Sequence, residues 1–127
     1  MKLKQLIGFV IYRFPLNKSL FNLIKKFFIP SGSLRNKLRF VGKFTVTTND
    51  GRRFYLYNDA FKMESEIFWL GLEQYNWEIQ TRRIWNSLCE SSDTILDIGA
   101  NAGIFSILAK VYNPNAAIFS FEPQPNI

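Results

Sequence analysis

The stretch "TILDIGANAGIFSILAK", residues 94–110, constrains this 127-residue chain more than any other. Thr94–Ile98 is short, apolar and bounded by polar residues, which is the pattern of a buried parallel strand. From Gly103 onward, Ile104, Ile107, Leu108 and Val111 recur at i, i+3, i+4 and i+7, so a helix follows. Ala116–Phe121 reads as a second buried strand. Strand, glycine loop, helix and strand form a βαβ unit with a right-handed crossover. The expected fold class is therefore α/β, built on a parallel βαβ unit.

Glycines at such a turn let the backbone bend sharply and let a ligand come close, while the helix N-terminus offers unpaired N–H groups. Asp97 is the only charge in its strand and sits toward the C-terminal end, where open α/β sheets bind ligands. Glu122 ends the second strand in the same place, 23 positions after Gly99. A carboxylate at that offset can accept both hydroxyls of a ribose. Gly99 and Gly103 alone would also fit a tight turn that binds nothing. Two acids at two strand ends weigh against that, since each is costly near an interior without a partner.

The spacing narrows the ligand. A phosphate-cradling loop needs G-x-x-x-x-G-K-[ST], and here no Lys-Ser/Thr pair follows Gly103. The dinucleotide pattern G-x-G-x-x-G fails at Asn101, which stands where the second glycine admits the pyrophosphate. No third glycine follows, because Phe105 and Ser106 occupy that region. The loop suits an adenosine ligand without a diphosphate, and a nicotinamide-binding oxidoreductase is disfavoured.

"LDIGANAGIFS" together with "FSFEPQPN" resembles motifs I and II of the FkbM-type family of S-adenosylmethionine-dependent methyltransferases. "NWEIQTRRIWNSL" resembles the family's preceding helix more weakly, and residues 1–43 show no likeness. The resemblance implies a doubly wound, Rossmann-like, class I methyltransferase parallel sheet, of which this βαβ unit is the first, and S-adenosylmethionine as cofactor. It places Gly99, Asn101 and Gly103 along the cofactor's methionine and adenosine portions. It puts Asp97 near the amino group, directly or through water, and Glu122 on the ribose hydroxyls. It further implies O-methylation of a saccharide or a similar hydroxylated metabolite. The chain stops after the second strand of that sheet, so the expectation is an incomplete, N-terminal portion that is inactive alone and has no assignable catalytic residue. The competing expectation is a non-catalytic remnant or binding module.

The rest of the chain supplies context. There is no histidine and one cysteine, Cys89, so an internal disulfide and a His/Cys metal site are excluded. Residues 1–43 hold ten of the sixteen Lys/Arg and none of the ten acids. Leu3, Leu6, Ile7, Val10, Ile11 and Phe14 predict a helix over 3–14, ended by Pro15. Leu20, Leu23, Ile24, Phe27 and Phe28 predict another, stopped by Pro30. Two basic amphipathic helices, a domain over 1–39, suit a peripheral contact with an anionic membrane face as well as ordinary packing. Neither is long enough to span, no signal-peptide cleavage site follows, and nucleic acid is not the expected partner. A cytoplasmic location, with contact at the inner membrane face, is the matching expectation. "SGSLRNK" at 31–37 reads as a linker. "KFTVTT" and "RRFYLYN" around Asn49-Asp50-Gly51 predict a β-hairpin, and residues 61–75 a helix broken at Gly71, together a lead-in over 40–75. Over 76–127 the methyltransferase-like part begins with a helix at 77–89. Asn76 is its expected N-cap, and Trp77, Ile84, Trp85 and Leu88 are expected on one face. Glu78, near that helix start, is read as a dipole partner rather than a site residue.

Overall fold

A computed structural model of the chain describes Phe14 and residues 16–124. Among these residues the protein is mixed α/β, with five helices and two two-stranded sheets, one antiparallel and one parallel. The order is α1 (Asn17–Phe27), α2 (Gly32–Arg35), β1 (Val41–Thr47), β2 (Arg53–Asp59), α3 (Lys62–Leu70), α4 (Ile79–Cys89), β3 (Thr94–Ile98), α5 (Ile104–Tyr112) and β4 (Ala117–Phe121). The helix expected over 3–14 lies outside the described residues except for Phe14, which is exposed and non-helical. Among the described residues no helix is long and apolar enough to cross a membrane. The chain divides into two compact units, one ending at Tyr75 and the other beginning at Asn76.

The first unit is built on the hairpin. Alternation sends Phe44, Val46, Phe54 and Leu56 inward, while Thr45, Thr47, Tyr55 and Tyr57 face out. The inward residues pair across the strands, Phe44 with Leu56 and Val46 with Phe54. The turn lies at Asn49-Asp50-Gly51. Gly51 takes φ 85° and donates its N–H to the Thr48 carbonyl at 3.0 Å, and the Thr48 hydroxyl donates to Asp50. An aromatic core covers the inner face. The Phe40 and Phe68 rings meet edge-on at 4.6 Å, Phe44 meets Phe68 at 5.6 Å, and Phe21 of α1 meets Trp69 at 5.5 Å. The arm read over 1–39 and the lead-in read over 40–75 thus share one core through Phe21.

Polar ties close this unit. Asn58, fully buried, accepts the Ala60 N–H at 2.9 Å and donates to Ser65 at 3.2 Å, joining the end of β2 to α3. Residues 31–37, expected as a linker, contain α2 instead. Arg35 donates to Glu66 of α3 at 2.8 and 3.0 Å and to the Pro30 carbonyl at 2.7 Å. Two charge-assisted bonds, both to Glu66 Oε2, are each stronger than a neutral hydrogen bond. They hold a polar segment that has no periodicity of its own.

In the second unit α4 and α5 pack on the same face of the β3–β4 pair. Cys89, Ile95, Ala109 and Ala116 form the buried cluster, with Trp85, Tyr112 and Ile118 against it. The opposite face is open: Leu96, Ile98, Phe119 and Phe121 are each more than half exposed. Both strands were expected to be buried and are covered on one side only, because both helices lie on that side. Helix α4 also differs from expectation. It starts at Ile79, and Glu78, in a left-handed conformation at φ 48°, stands at its N-cap with no side-chain cap. Its buried residues are Arg82 and Cys89, whereas Ile84 and Leu88 are exposed. The ring contact of Trp85 with Phe105 of α5 and the seating of Cys89 on the sheet set this rotation.

Two stability measurements follow from the first unit. Phe40→Ala should cost about 3–5 kcal/mol in urea unfolding, the usual range for a fully buried ring. A loss under about 1 kcal/mol would show that the aromatic cluster is not a packed core. Glu64 is buried, and its Oε2 has no hydrogen-bond partner among the described residues. Burial raises its pKa above the ordinary 4.5, the Asp59 charge raises it further, and a backbone hydrogen bond opposes both. A carboxyl with a raised folded pKa binds protons more tightly when folded, so its contribution to stability is lost as pH climbs above the unfolded value. Glu64→Gln should therefore stabilise the chain at pH 7 and flatten the loss between pH 4.5 and neutrality. An unchanged midpoint at pH 7 would contradict this.

Candidate functional site

β3 and β4 run parallel, with Asp97 opposite Ser120 and Ile98 opposite Phe121. The loop that leaves β3 stays tied to the end of β4. Gly99 and Ala100 both donate their N–H to the Phe121 carbonyl, at 2.8 and 3.0 Å. Gly103 then donates to the Ala100 carbonyl at 2.7 Å and closes the turn into α5. Gly99, Asn101 and Gly103 take φ of 82°, 49° and 76°. Glycine adopts this left-handed region freely, and asparagine is among the side chains that tolerate it best. A Cβ at Gly99 or Gly103 would meet nothing within 4 Å. The glycines are therefore required by backbone conformation, and open space lies over both.

Glu122 follows β4 directly and reaches back to this loop. Its Oε2 accepts the Asn101 N–H at 2.8 Å and its Oε1 accepts the Gln124 N–H at 2.8 Å. An ionised carboxylate offers about four lone-pair positions. Two are used, so Glu122, which is half-buried, retains capacity for two further donors.

Asp97 lies in different surroundings. Strand alternation puts it on the helix-covered face beside Ile95, at 6% exposure. Its Oδ2 accepts the Ser106 hydroxyl of α5 at 2.5 Å, and the Ser106 and Ser120 hydroxyls lie 2.5 Å apart. The partner of Asp97 is thus a protein hydroxyl under the first turn of α5. Asn101 and Glu122 are brought into direct contact, and Gly99 joins them through Phe121.

Sequence reasoning passed over Ser106 and Ser120 as site residues. Their signal was a hydroxyl inside an apolar helix ("IFSIL") and inside an apolar strand ("IFSF"). It also passed over the aromatic group around Phe105. Trp85 donates its indole N–H to the Phe105 carbonyl at 2.9 Å, and Trp77 stacks obliquely on the same ring at 5.8 Å. These rings fix the first turn of α5, whose N-terminus faces the glycine loop. Among the described residues no group of three His, Cys, Asp or Glu could hold a metal ion. Comparisons with protein-family models, curated proteins and solved structures find no significant match to this chain.

The loop makes a direct prediction. Gly103→Val should destabilise the second unit by about 1–3 kcal/mol through backbone strain, since an added Cβ meets nothing within 4 Å and φ is 76°. Gly103→Asn should cost less. Equal urea midpoints for both variants and the parent chain would show that the loop relaxes out of the left-handed conformation.

Proposed function

We propose that residues 76–127 belong to an S-adenosylmethionine-binding domain of the FkbM type, with a Rossmann-like sheet, in an enzyme that O-methylates a saccharide or similar hydroxylated metabolite. The observation that carries this reading is the bond from the Asn101 N–H to the Glu122 carboxylate. It joins the glycine loop of one parallel strand to the acid at the end of the next, at the carboxyl edge where such sheets bind ligands.

The residues present fit the adenosine part of such a ligand. Glu122 has acceptor capacity for two ribose hydroxyls, and the space over Gly99 and Gly103 lets a ligand approach the backbone. Asn101 occupies the position where a diphosphate would need glycine. Asp97 would act on a cationic amino group by its charge, directly or through water. When bound, S-adenosylmethionine supplies an electrophilic methyl group on a sulfonium. For such an in-line transfer the protein's main task is to position donor and acceptor. No catalytic base is assigned.

Calorimetric titration tests the assignment. The chain should bind S-adenosylmethionine or S-adenosylhomocysteine saturably and bind NAD more weakly. Glu122→Gln should weaken the adenosyl ligand by about tenfold, the value of a hydrogen bond to a charged acceptor. No saturation by a chain that remains folded by circular dichroism, or NAD binding as tight, would sink the proposal.

A second reading has its own observation. Both Glu122 oxygens and one oxygen of Asp97 already have protein donors. A closed turn in a non-catalytic module would show the same bonds, and the same titration would then give no heat with either ligand.

A further inference from the structure

Helix α1 carries two apolar surfaces, and only one of them packs. Phe21 is buried against Phe40 and Trp69. Lys25, one turn on, lies half-buried along the same side and donates to the Phe68 carbonyl. The other surface is a stripe of Leu16, Leu20, Leu23 and Phe27 at i, i+4, i+7 and i+11, each more than half exposed and Phe27 at 79%. Successive helical residues are turned by about 100°, so Leu20 and Phe21 face different ways and the stripe points off the core. Phe28 and Ile29, also exposed, prolong it past the helix end.

Single exposed leucines are ordinary, but a continuous stripe along a helix marks an interface. Its surroundings select the partner. Phe14 and residues 16–43 contain Lys18, Lys25, Lys26, Arg35, Lys37, Arg39 and Lys43 and no acid. Lys26 is exposed on the flank of the stripe away from Phe21. A second copy packed on this stripe would bring its own Lys18 and Lys26, with no acid on α1 to meet them, and be repelled. A surface that is apolar below and anionic above fits both features. We infer that α1 docks in the plane of an anionic lipid bilayer, with Leu16, Leu20, Leu23 and Phe27 below the headgroups and Lys26 among them. At 11 residues it is about 16 Å long, which suits lying in the interface rather than crossing it. This inference is independent of what the second unit binds.

The test uses the full chain and vesicles of phosphatidylcholine, alone or mixed equally with phosphatidylglycerol, read by co-sedimentation. Binding to the mixed vesicles should be at least about tenfold tighter than to the neutral ones. It should fall steeply in about 1 M salt, where screening shortens to about 3 Å. Leu20→Ser with Phe27→Ser should weaken it by more than about tenfold, and Lys26→Gln by about fivefold on the anionic vesicles alone. All three positions are exposed, so the thermal midpoint should stay at its parent value. Equal binding to both vesicles, no binding, or no effect of the double variant would overturn the inference. So would a self-association, seen by sedimentation equilibrium, that the double variant abolishes.

Discussion

The carbonyl of Phe121 accepts two consecutive N–H groups, from Gly99 and Ala100, and the candidate site depends on that contact. It prolongs the parallel pairing of β3 and β4 by one step beyond Ile98 and Phe121. The loop is thereby held to the edge of the sheet before it turns into α5. The next residue of β4's exit is Glu122, so its carboxylate falls within reach of the Asn101 N–H. A slip of one residue along β4 would put a neighbour of Glu122 where its carboxylate stands, and a slip along β3 would turn Asp97 out of the helix-covered face.

What was legible in the sequence was local. The strand, glycine loop, helix and strand of residues 94–121 carry their own periodicities, and so do the Asn49-Asp50-Gly51 hairpin and the helix stopped at Gly71. The meeting of the loop with Glu122 was legible too, because both lie at the carboxyl ends of paired parallel strands. What escaped was set by distant partners. Helix α2 is pinned by a fork from Arg35 to Glu66, far along the chain, and its own residues read as a linker. The rotation of α4 depends on Phe105 of another helix, so Ile84 and Leu88, apolar by composition, stay outside. Asp97 could be placed at the end of its strand, but not under Ser106, since strand alternation does not say which face a helix will cover.

The two units solve the packing problem differently. The first uses large rings, Phe21, Phe40, Phe44, Phe68 and Trp69, whose edge-on contacts add to the area they bury. The second uses aliphatic and smaller side chains: Cys89, Ile95, Ala109 and Ala116 form its buried cluster, and Ile104 and Leu108 of α5 are buried as well. Burial raises the Cys89 thiol's pKa, so this cysteine serves packing rather than reactivity. That core covers one face of the sheet only, and the outer face, Leu96, Ile98, Phe119 and Phe121, remains wet.

A hydroxyl has a single proton to give, and this orders the group beneath α5. Ser106 gives its proton to Asp97, whose Oδ2 accepts it. The contact between the two serine oxygens must then be made with the proton of Ser120. The three groups are polarised in one sense, with the buried carboxylate as the sink. Ser120 is exposed on β4, and with its proton committed inward it turns only lone pairs to the surface. Any polar group that meets the strand there finds an acceptor, so a buried carboxylate governs how an exposed position can be recognised.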